Sequence, residues 1–342
     1  MRCGAFGDMV LMTPIIRELA ARFGSPVDLV SSGSWTRPLL AGQPGVGDIH
    51  MLVSRRRPYL LSPDQWSVVR ALRERGPGPT WFLDTEGIGR KILTRAGISA
   101  EWIVEADDHP RRGDEHLIDR LLRTIDTMPA ALTTPPPPLE RLALSGTALE
   151  VPAHARQDLA QWLTLRGLAR RPLLLLQAGN KRTMRRGARQ RTSNTKYWPE
   201  AHWAQVLRAM HARCPDHGLV LLGVPAEHDM NEAIRRLTPD LPVLNAAHEL
   251  PIGRLIALLN HASALVSVDT GPAHAAAAVG LPMVVLFAVA DPNLYRPRGA
   301  ADAPVICVRP DPPGPLEGLA PEQVVTAFSQ LVLRPFASIP PL

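Results

Sequence analysis

The chain has 342 residues, 45% of them hydrophobic, with a mean hydropathy of −0.03, enough apolar material for the cores of two ordinary domains. No run of about 18 apolar residues occurs, which excludes a membrane-spanning helix, and Cys3, Cys214 and Cys307 lie far apart with no CxxC pair, which argues against a zinc site or a disulfide framework. A net charge of +6 and a pI of about 9.8 favour anionic partners such as nucleotides, phosphorylated glycans, acidic membrane surfaces or nucleic acid.

In chain order, Thr13 to Phe23 reads as a helix, with Ile15, Ile16, Leu19 and Ala20 on one face and Pro14 in its first turn. Val27 to Ser31 and Ile49 to Val53 read as strands. Trp66 to Arg75 is a helix, Trp81 to Asp84 a strand, Gly89 to Ala96 a helix, Glu101 to Glu105 a strand and Glu115 to Ile125 a helix. Strands alternating with helices imply a parallel sheet covered on both faces. Thr133 to Pro138, with four consecutive prolines, breaks the rhythm as either a long surface loop or a linker. A second alternation follows. Helices are expected at Ala155 to Arg166, Glu200 to Arg213, Glu227 to Leu237, Ile252 to His261 and Glu322 to Leu333, and strands at Pro172 to Gln177, Leu219 to Gly223, Pro242 to Asn245, Ala264 to Val268, Met283 to Phe287 and Pro304 to Val308. The expected division is an N-terminal domain of residues 1–165 and a C-terminal domain of residues 166–342, with the last helix free to pack back on the N-terminal one.

Four segments carry chemistry. The most informative runs from Val266 to Phe287: an apolar strand ends on Asp269, Thr270-Gly271 turns the chain, and a small-residue helix begins near Pro272 and stops at Gly280-Leu281-Pro282. A helix start beside a hydroxyl and a glycine backbone suits a phosphate. An ordinary cap would explain Asp269 and Thr270, but not His274 or the four alanines Ala275 to Ala278. Gly4-Ala5-Phe6-Gly7-Asp8 forms a glycine-bearing turn into a helix, with Asp8 either a functional carboxylate or a cap. Gln177-Ala178-Gly179-Asn180 ends a strand and opens a basic loop, Lys181 to Lys196, which contains seven Lys and Arg and no acid. Its position after a buried strand favours an anion-binding lid. Aromatics interleaved with the basic residues, as nucleic-acid binding would want, are missing. Leu221 to Glu227 is a further strand end, and its carboxylate is either a helix-start residue or an acceptor for ribose hydroxyls.

Together these pieces resemble glycosyltransferase family 9, the bacterial lipopolysaccharide heptosyltransferases. Asp269-Thr270-Gly271-Pro272-Ala273-His274 carries the strongest likeness; Lys196-Tyr197-Trp198-Pro199, Gly223-Val224-Pro225-Ala226-Glu227 and Gly7-Asp8-Met9-Val10-Leu11-Met12-Thr13-Pro14 match in order and spacing. The resemblance implies an α/β GT-B fold, two Rossmann-like doubly wound parallel-sheet domains facing across a cleft. It implies transfer of heptose from ADP-heptose, with inversion, to a lipopolysaccharide core or lipid A-linked glycan, without a cofactor or an essential metal. By motif match Asp8 would be the general base. Thr192 and Lys196 would contact the donor diphosphate, Asp269, Thr270, Gly271 and His274 the sugar-diphosphate region, and Glu227 the ribose. A cytoplasmic protein is expected, peripheral on the inner face of the cytoplasmic membrane, where Arg55-Arg56-Arg57 would help to contact acceptor phosphates; nucleic acid is not an expected partner.

Three features depart from the family pattern. Only Met1-Arg2-Cys3 precedes the Gly-Asp turn where a full apolar strand is usual, so either the native start lies upstream or the first strand is lost. The basic loop is longer than in many members. Ala288 to Asp291 replaces a Gly-Pro/Thr-type turn, which would alter substrate preference. Two alternatives stay open: a catalytically silent nucleotide-sugar or glycolipid binding protein of the same fold, and a nucleotide-sugar epimerase.

Overall fold

The computed structural model describes residues 1–84, 87–136, 146–180 and 194–336. It divides into two compact units, Met1–Thr147 and Ala148–Leu342.

In the N-terminal unit four short strands form two parallel pairs. β1 (Val27–Ser31) pairs with β2 (Val46–Met51), and β3 (Thr80–Phe82) with β4 (Ile103–Glu105). β2 starts three residues earlier than the apolar run Ile49 to Val53 suggests, because Val46 pairs with Val27 while Val53 is exposed. Residues 1–3 join the two pairs. Arg2 donates its N–H to Val30 O at 3.0 Å, Met1 N donates to Trp81 O at 2.6 Å, and Leu83 donates to Met1 O at 2.9 Å. Met1-Arg2-Cys3 thus bridges β1 and β3 by backbone hydrogen bonds without forming a strand of its own. A cavity of about 260 Å³ lies next to Met1, lined by Ile15, Leu19, Val27 and Trp81 among others. The core gathers Cys3, Val30, Leu52, Phe82, Ile92 and Leu93. The helix expected after the Gly4 to Asp8 turn already begins at Phe6 and runs to Leu11, and a further helical piece, Thr36–Leu40, shorter than two turns, has no counterpart in the sequence reading.

The C-terminal unit is built on one parallel sheet of six strands: β5 (Leu173–Gln177), β6 (Gly218–Leu221), β7 (Val243–Asn245), β8 (Ala264–Val268), β9 (Met283–Leu286) and β10 (Val305–Val308). Every pairing is parallel, in the spatial order β10-β9-β8-β5-β6-β7. β5, β6, β8 and β9 are buried along their whole length, as expected of strands that carry helices on both faces. The helix Gly271–Ala278 packs on β8 and β9, and its alanines Ala275, Ala276 and Ala277 are at most 1% exposed. Small side chains let it lie close to the sheet.

Two boundaries move. The helix Ala153–Leu165, assigned from sequence to the N-terminal domain, belongs to the C-terminal unit. It packs on the helix Ile252–His261; Arg254 pairs with Asp158 at 2.7 Å, and Trp162 Nε1 donates to Glu249 at 2.5 Å. The last helix, Pro321–Gln330, packs on the helix Glu200–Arg213 and on β9 and β10, within the C-terminal unit. Phe328 is 1% exposed there. Of the proline run, Pro137 and Pro138 lie outside the described residues.

Candidate functional site

The order of the six strands fixes where a ligand belongs. From β5 the chain moves outward to β6 and β7, then returns to place β8 on the other side of β5 and continues to β9 and β10. The direction of winding reverses between β5 and β8, and the crevice at the carboxyl ends of such strands is where open α/β sheets bind ligands. Gln177 to Asn180 leaves β5 there, Gly223 to Glu227 follows β6, and Asp269-Thr270 follows β8. Three of the four motif segments thus meet on one edge of one sheet.

Lys196 reaches that edge although it lies 73 residues before Asp269. Its ammonium donates to Asp269 O at 2.9 Å and pairs with Asp269 Oδ2 at 2.5 Å. The segment carrying it is pinned by Trp198, which is 1% exposed, stacks edge-on against Trp203 at 4.8 Å and donates its indole N–H to Leu319 O at 3.0 Å. Asn194 Oδ1 accepts the N–H of Lys196 at 3.2 Å, and Asn194 Nδ2 donates to Asn180 Oδ1 at 3.3 Å, tying the Lys196 segment to the end of β5. His274, one turn into the helix Gly271–Ala278, is buried and holds Nε2 3.9 Å from Asp269 Oδ1.

Thr270 occupies the position before that helix in an extended conformation, φ −148° and ψ 172°, and its side chain makes no capping bond. Its hydroxyl is buried without a hydrogen-bond partner among the described residues. A simple cap would have used that oxygen on the helix's own N–H groups. A buried hydroxyl left over at a helix start, beside a lysine ammonium, is instead a donor set suited to phosphate oxygens.

Glu227 ends the turn Pro225–Glu227 and is 4% exposed. Its Oε2 accepts the N–H of Val224 at 2.9 Å and the amide of Gln177 at 3.3 Å. Burial holds its carboxyl above the usual carboxylate range, against the pull of those two donors. Two glycines make room for it: a Cβ at Gly179 would lie 2.2 Å from Oε1, and one at Gly223 3.0 Å from Oε2. The two strand-end motifs are therefore one construction, in which the missing side chains at β5 and β6 admit a carboxylate.

In the N-terminal unit Asp8 sits in the first turn of the helix Phe6–Leu11. One carboxylate oxygen accepts the N–H of Ala5 at 2.8 Å, and the other pairs with Arg2 at 2.9 Å. Arg2 also donates to Leu83 O at 2.6 Å, so it bridges the sheet and the carboxylate. The side chain of Asp8 remains 31% exposed. Capping and availability coexist, since a carboxylate has more lone pairs than the cap consumes.

The structure thus brings Lys196, Asp269, Thr270, Gly271, His274 and Glu227 to the ends of neighbouring strands or the helix start beside them, and holds Asp8 in a separate unit. Thr192 and the basic residues Lys181 to Arg191 lie outside the described residues. Gln177, Asn180 and Asn194 are not among the expected site residues; for Gln177 and Asn180 the signal is that amides stand at the end of an apolar strand, and for Asn194 there is none. Arg2 gave no signal, because its partner is set by the turn between them.

A family model for glycosyltransferase family 9 (heptosyltransferase) matches residues 154–311, which contain all of this edge but not Asp8. Lipopolysaccharide heptosyltransferase 3 of Escherichia coli is 37% identical over 106 residues, so that this chain spans 30% of that relative's length and 30% of its own. The glycosyl transferase family 9 protein from Veillonella parvula superposes with a TM-score of 0.72 at 17% identity, over 97% of this chain and 95% of that one. E. coli heptosyltransferase WaaC with ADP superposes with a TM-score of 0.65 at 19% identity, over 96% and 97% of the two chains. These likenesses bear out the α/β fold of the GT-B class. The family match covers the very strands whose ends converge, so residues 154–311 carry a glycosyltransferase family 9 domain, and the likeness of fold runs over nearly the whole length of the chain.

Proposed function

We propose that the protein is an inverting glycosyltransferase that moves heptose from ADP-heptose to a lipopolysaccharide core or lipid A-linked glycan. The observation that supports this most is the donor set gathered at the switch point: the Lys196 ammonium held by Asp269, the Thr270 hydroxyl, which has no partner among the described residues, and the start of the helix Gly271–Ala278. Departure of a nucleoside diphosphate builds negative charge on its terminal phosphate. A fixed cation, a hydroxyl and helix N–H groups offset that charge without reorganising. Glu227, behind Gly179 and Gly223, would accept the ribose hydroxyls, and His274 and Asp269 would orient the sugar side. Asp8 would take the proton from the acceptor hydroxyl, a contribution worth about 10²–10⁴-fold in rate, with Arg2 holding its orientation. We propose that no metal or cofactor is required, and that the acceptor is met at the inner face of the cytoplasmic membrane, where the protein is peripheral.

The test is ADP release on mixing protein with ADP-heptose, with and without heptose-deficient core glycolipid. Release that needs the acceptor supports transfer. Conversion of the donor without acceptor would turn the reading to an epimerase, and tight donor binding with no release under either condition would turn it to a silent binder.

A further inference from the structure

One stretch of the N-terminal unit exposes apolar side chains that the fold leaves uncovered. Beyond β2 the chain passes through Val53, makes a single 3-10 turn at Tyr59–Leu61 and enters the helix Pro63–Arg75. Val53 is 71% exposed, Leu60 78%, Leu61 68% and Trp66 45%. Single exposed apolar residues are ordinary, but four large ones in one short stretch form a patch.

The patch is braced. Asp64 Oδ2 accepts the N–H groups of Val53 and Ser54 at 2.8 and 2.7 Å. The amide of Gln65, wholly buried, donates to Ser54 O and Arg57 O at 2.7 and 3.1 Å, and Ser62 Oγ donates to Pro58 O at 2.9 Å. Buried polar side chains thus fix a turn whose apolar residues face outward. Ordering this turn only to expose leucines brings no gain in the free protein.

The surrounding charge is predominantly positive. Between Val53 and Arg73 the sequence has five arginines and one acid, Asp64, and that carboxylate is turned onto the backbone. Arg56 and Arg57 are exposed. Arg70 and Arg73 line a groove of about 390 Å³ beside Tyr59, Trp66 and Val69. Glu74 stands 3.9 Å from Arg70, and Arg95 covers the ring of Tyr59 at 4.5 Å.

We propose that this surface docks on an anionic phospholipid bilayer. Leu60 and Leu61 enter the acyl boundary, Trp66 lies at headgroup depth, and Arg56, Arg57, Arg70 and Arg73 lie among the phosphates. An apolar tip with a tryptophan shoulder and an arginine rim matches the layering of such a membrane surface. Polyanions without an apolar layer would leave the leucines uncovered. The surface is separate from the donor site and does not need the transferase reading to hold; if that reading holds as well, docking brings the enzyme to a membrane-anchored acceptor.

The full chain is sedimented with vesicles of phosphatidylcholine alone and of an equal phosphatidylcholine–phosphatidylglycerol mixture, with no donor or acceptor present. Binding is expected to the mixed vesicles only, and to weaken as salt rises. Arg56→Gln with Arg57→Gln should lower the partition by about tenfold or more. Leu60→Ser with Leu61→Ser should do the same although charge is unchanged. With brominated acyl chains the tryptophan emission should be quenched, and less so in Trp66→Phe. These substitutions are at exposed positions, and circular dichroism and Tm check that the variants fold. Salt-sensitive binding that ignores the leucine pair would overturn the docking surface in favour of plain charge attraction, and so would quenching that ignores Trp66. Vesicle binding without transferase activity, or activity without vesicle binding, separates this inference from the proposed function.

Discussion

The ammonium of Lys196 is held by Asp269 twice, through its backbone carbonyl at 2.9 Å and its carboxylate at 2.5 Å. The pair joins the loop after β5 to the end of β8, so one interaction both closes the edge of the sheet and aims a cation at it. The lysine side chain is 27% exposed and the aspartate 10%, which leaves the cation accessible while the acid is mostly covered.

Lys196→Met should therefore separate two effects. ADP affinity, measured by titration calorimetry, is expected to fall about 10- to 100-fold, the worth of charged hydrogen bonds to a phosphate. Folding stability should fall as well, because the mostly covered Asp269 carboxylate is left without its cation. Lys196→Arg should not restore binding, because a guanidinium fork does not fit where a point charge sits. Unchanged ADP affinity in Lys196→Met would remove the lysine from the donor site.

Asp8→Asn keeps an oxygen for the N–H of Ala5 and removes the base. Turnover is expected to fall by about 10²–10⁴-fold, with ADP affinity unchanged, because the donor residues are in the other unit. Arg2→Gln should lower kcat more than KM, since it frees the carboxylate from its tether to Leu83. A variant Asp8→Asn that turns over like the parent would leave Asp8 as a cap alone.

Gly179→Ala tests the space behind the ribose-side carboxylate. The added Cβ would meet Glu227 Oε1 at 2.2 Å, so the carboxylate must move or the strand end must shift. Overpacking of this kind costs about 1–3 kcal/mol, and ADP binding should weaken with it. Pairing it with Glu227→Ala should recover the stability but not the binding. If Gly179→Ala binds ADP normally, the close packing of β5 and β6 ends has no bearing on the donor.

Most of the C-terminal unit was legible in the sequence because its signals are local. Buried parallel strands read as unbroken apolar runs such as Leu173 to Leu176, and two of them, β5 and β8, run directly into polar residues, Gln177 and Asp269. Asp269-Thr270 and Glu227 could be placed on the sheet edge from that pattern alone. What escaped depended on distant partners. The helix Ala153–Leu165 carries an apolar face, but only Arg254 and Glu249, more than 80 residues on, decide which unit it joins. Likewise, three residues at Met1-Arg2-Cys3 are too few to show a period, and their place beside the strands is set by Val30, Trp81 and Leu83. The Arg2–Asp8 pair follows from the turn at Gly4, where a Cβ would meet that of Asp8 at 2.4 Å.

Glu227 gives a prediction whose sign depends on pH. Burial raises its carboxyl above the ordinary value of 4.5 in the folded protein. A raised carboxyl contributes stability below the unfolded value, and that contribution is lost as pH rises through the folded value. The ionised form is thus a burden on the free protein at neutral pH. Glu227→Gln removes the charge while keeping an oxygen for the N–H of Val224. Urea unfolding at pH 7 should find this variant at least as stable as the parent, with its advantage shrinking as the pH approaches 4.5. ADP binding should move the other way, weakening about tenfold or more, because an amide accepts from one ribose hydroxyl where a carboxylate accepts from two. A variant much less stable at pH 7 would mean that the buried charge supports the fold, and the case for a carboxylate kept at a cost to serve a ligand would fail.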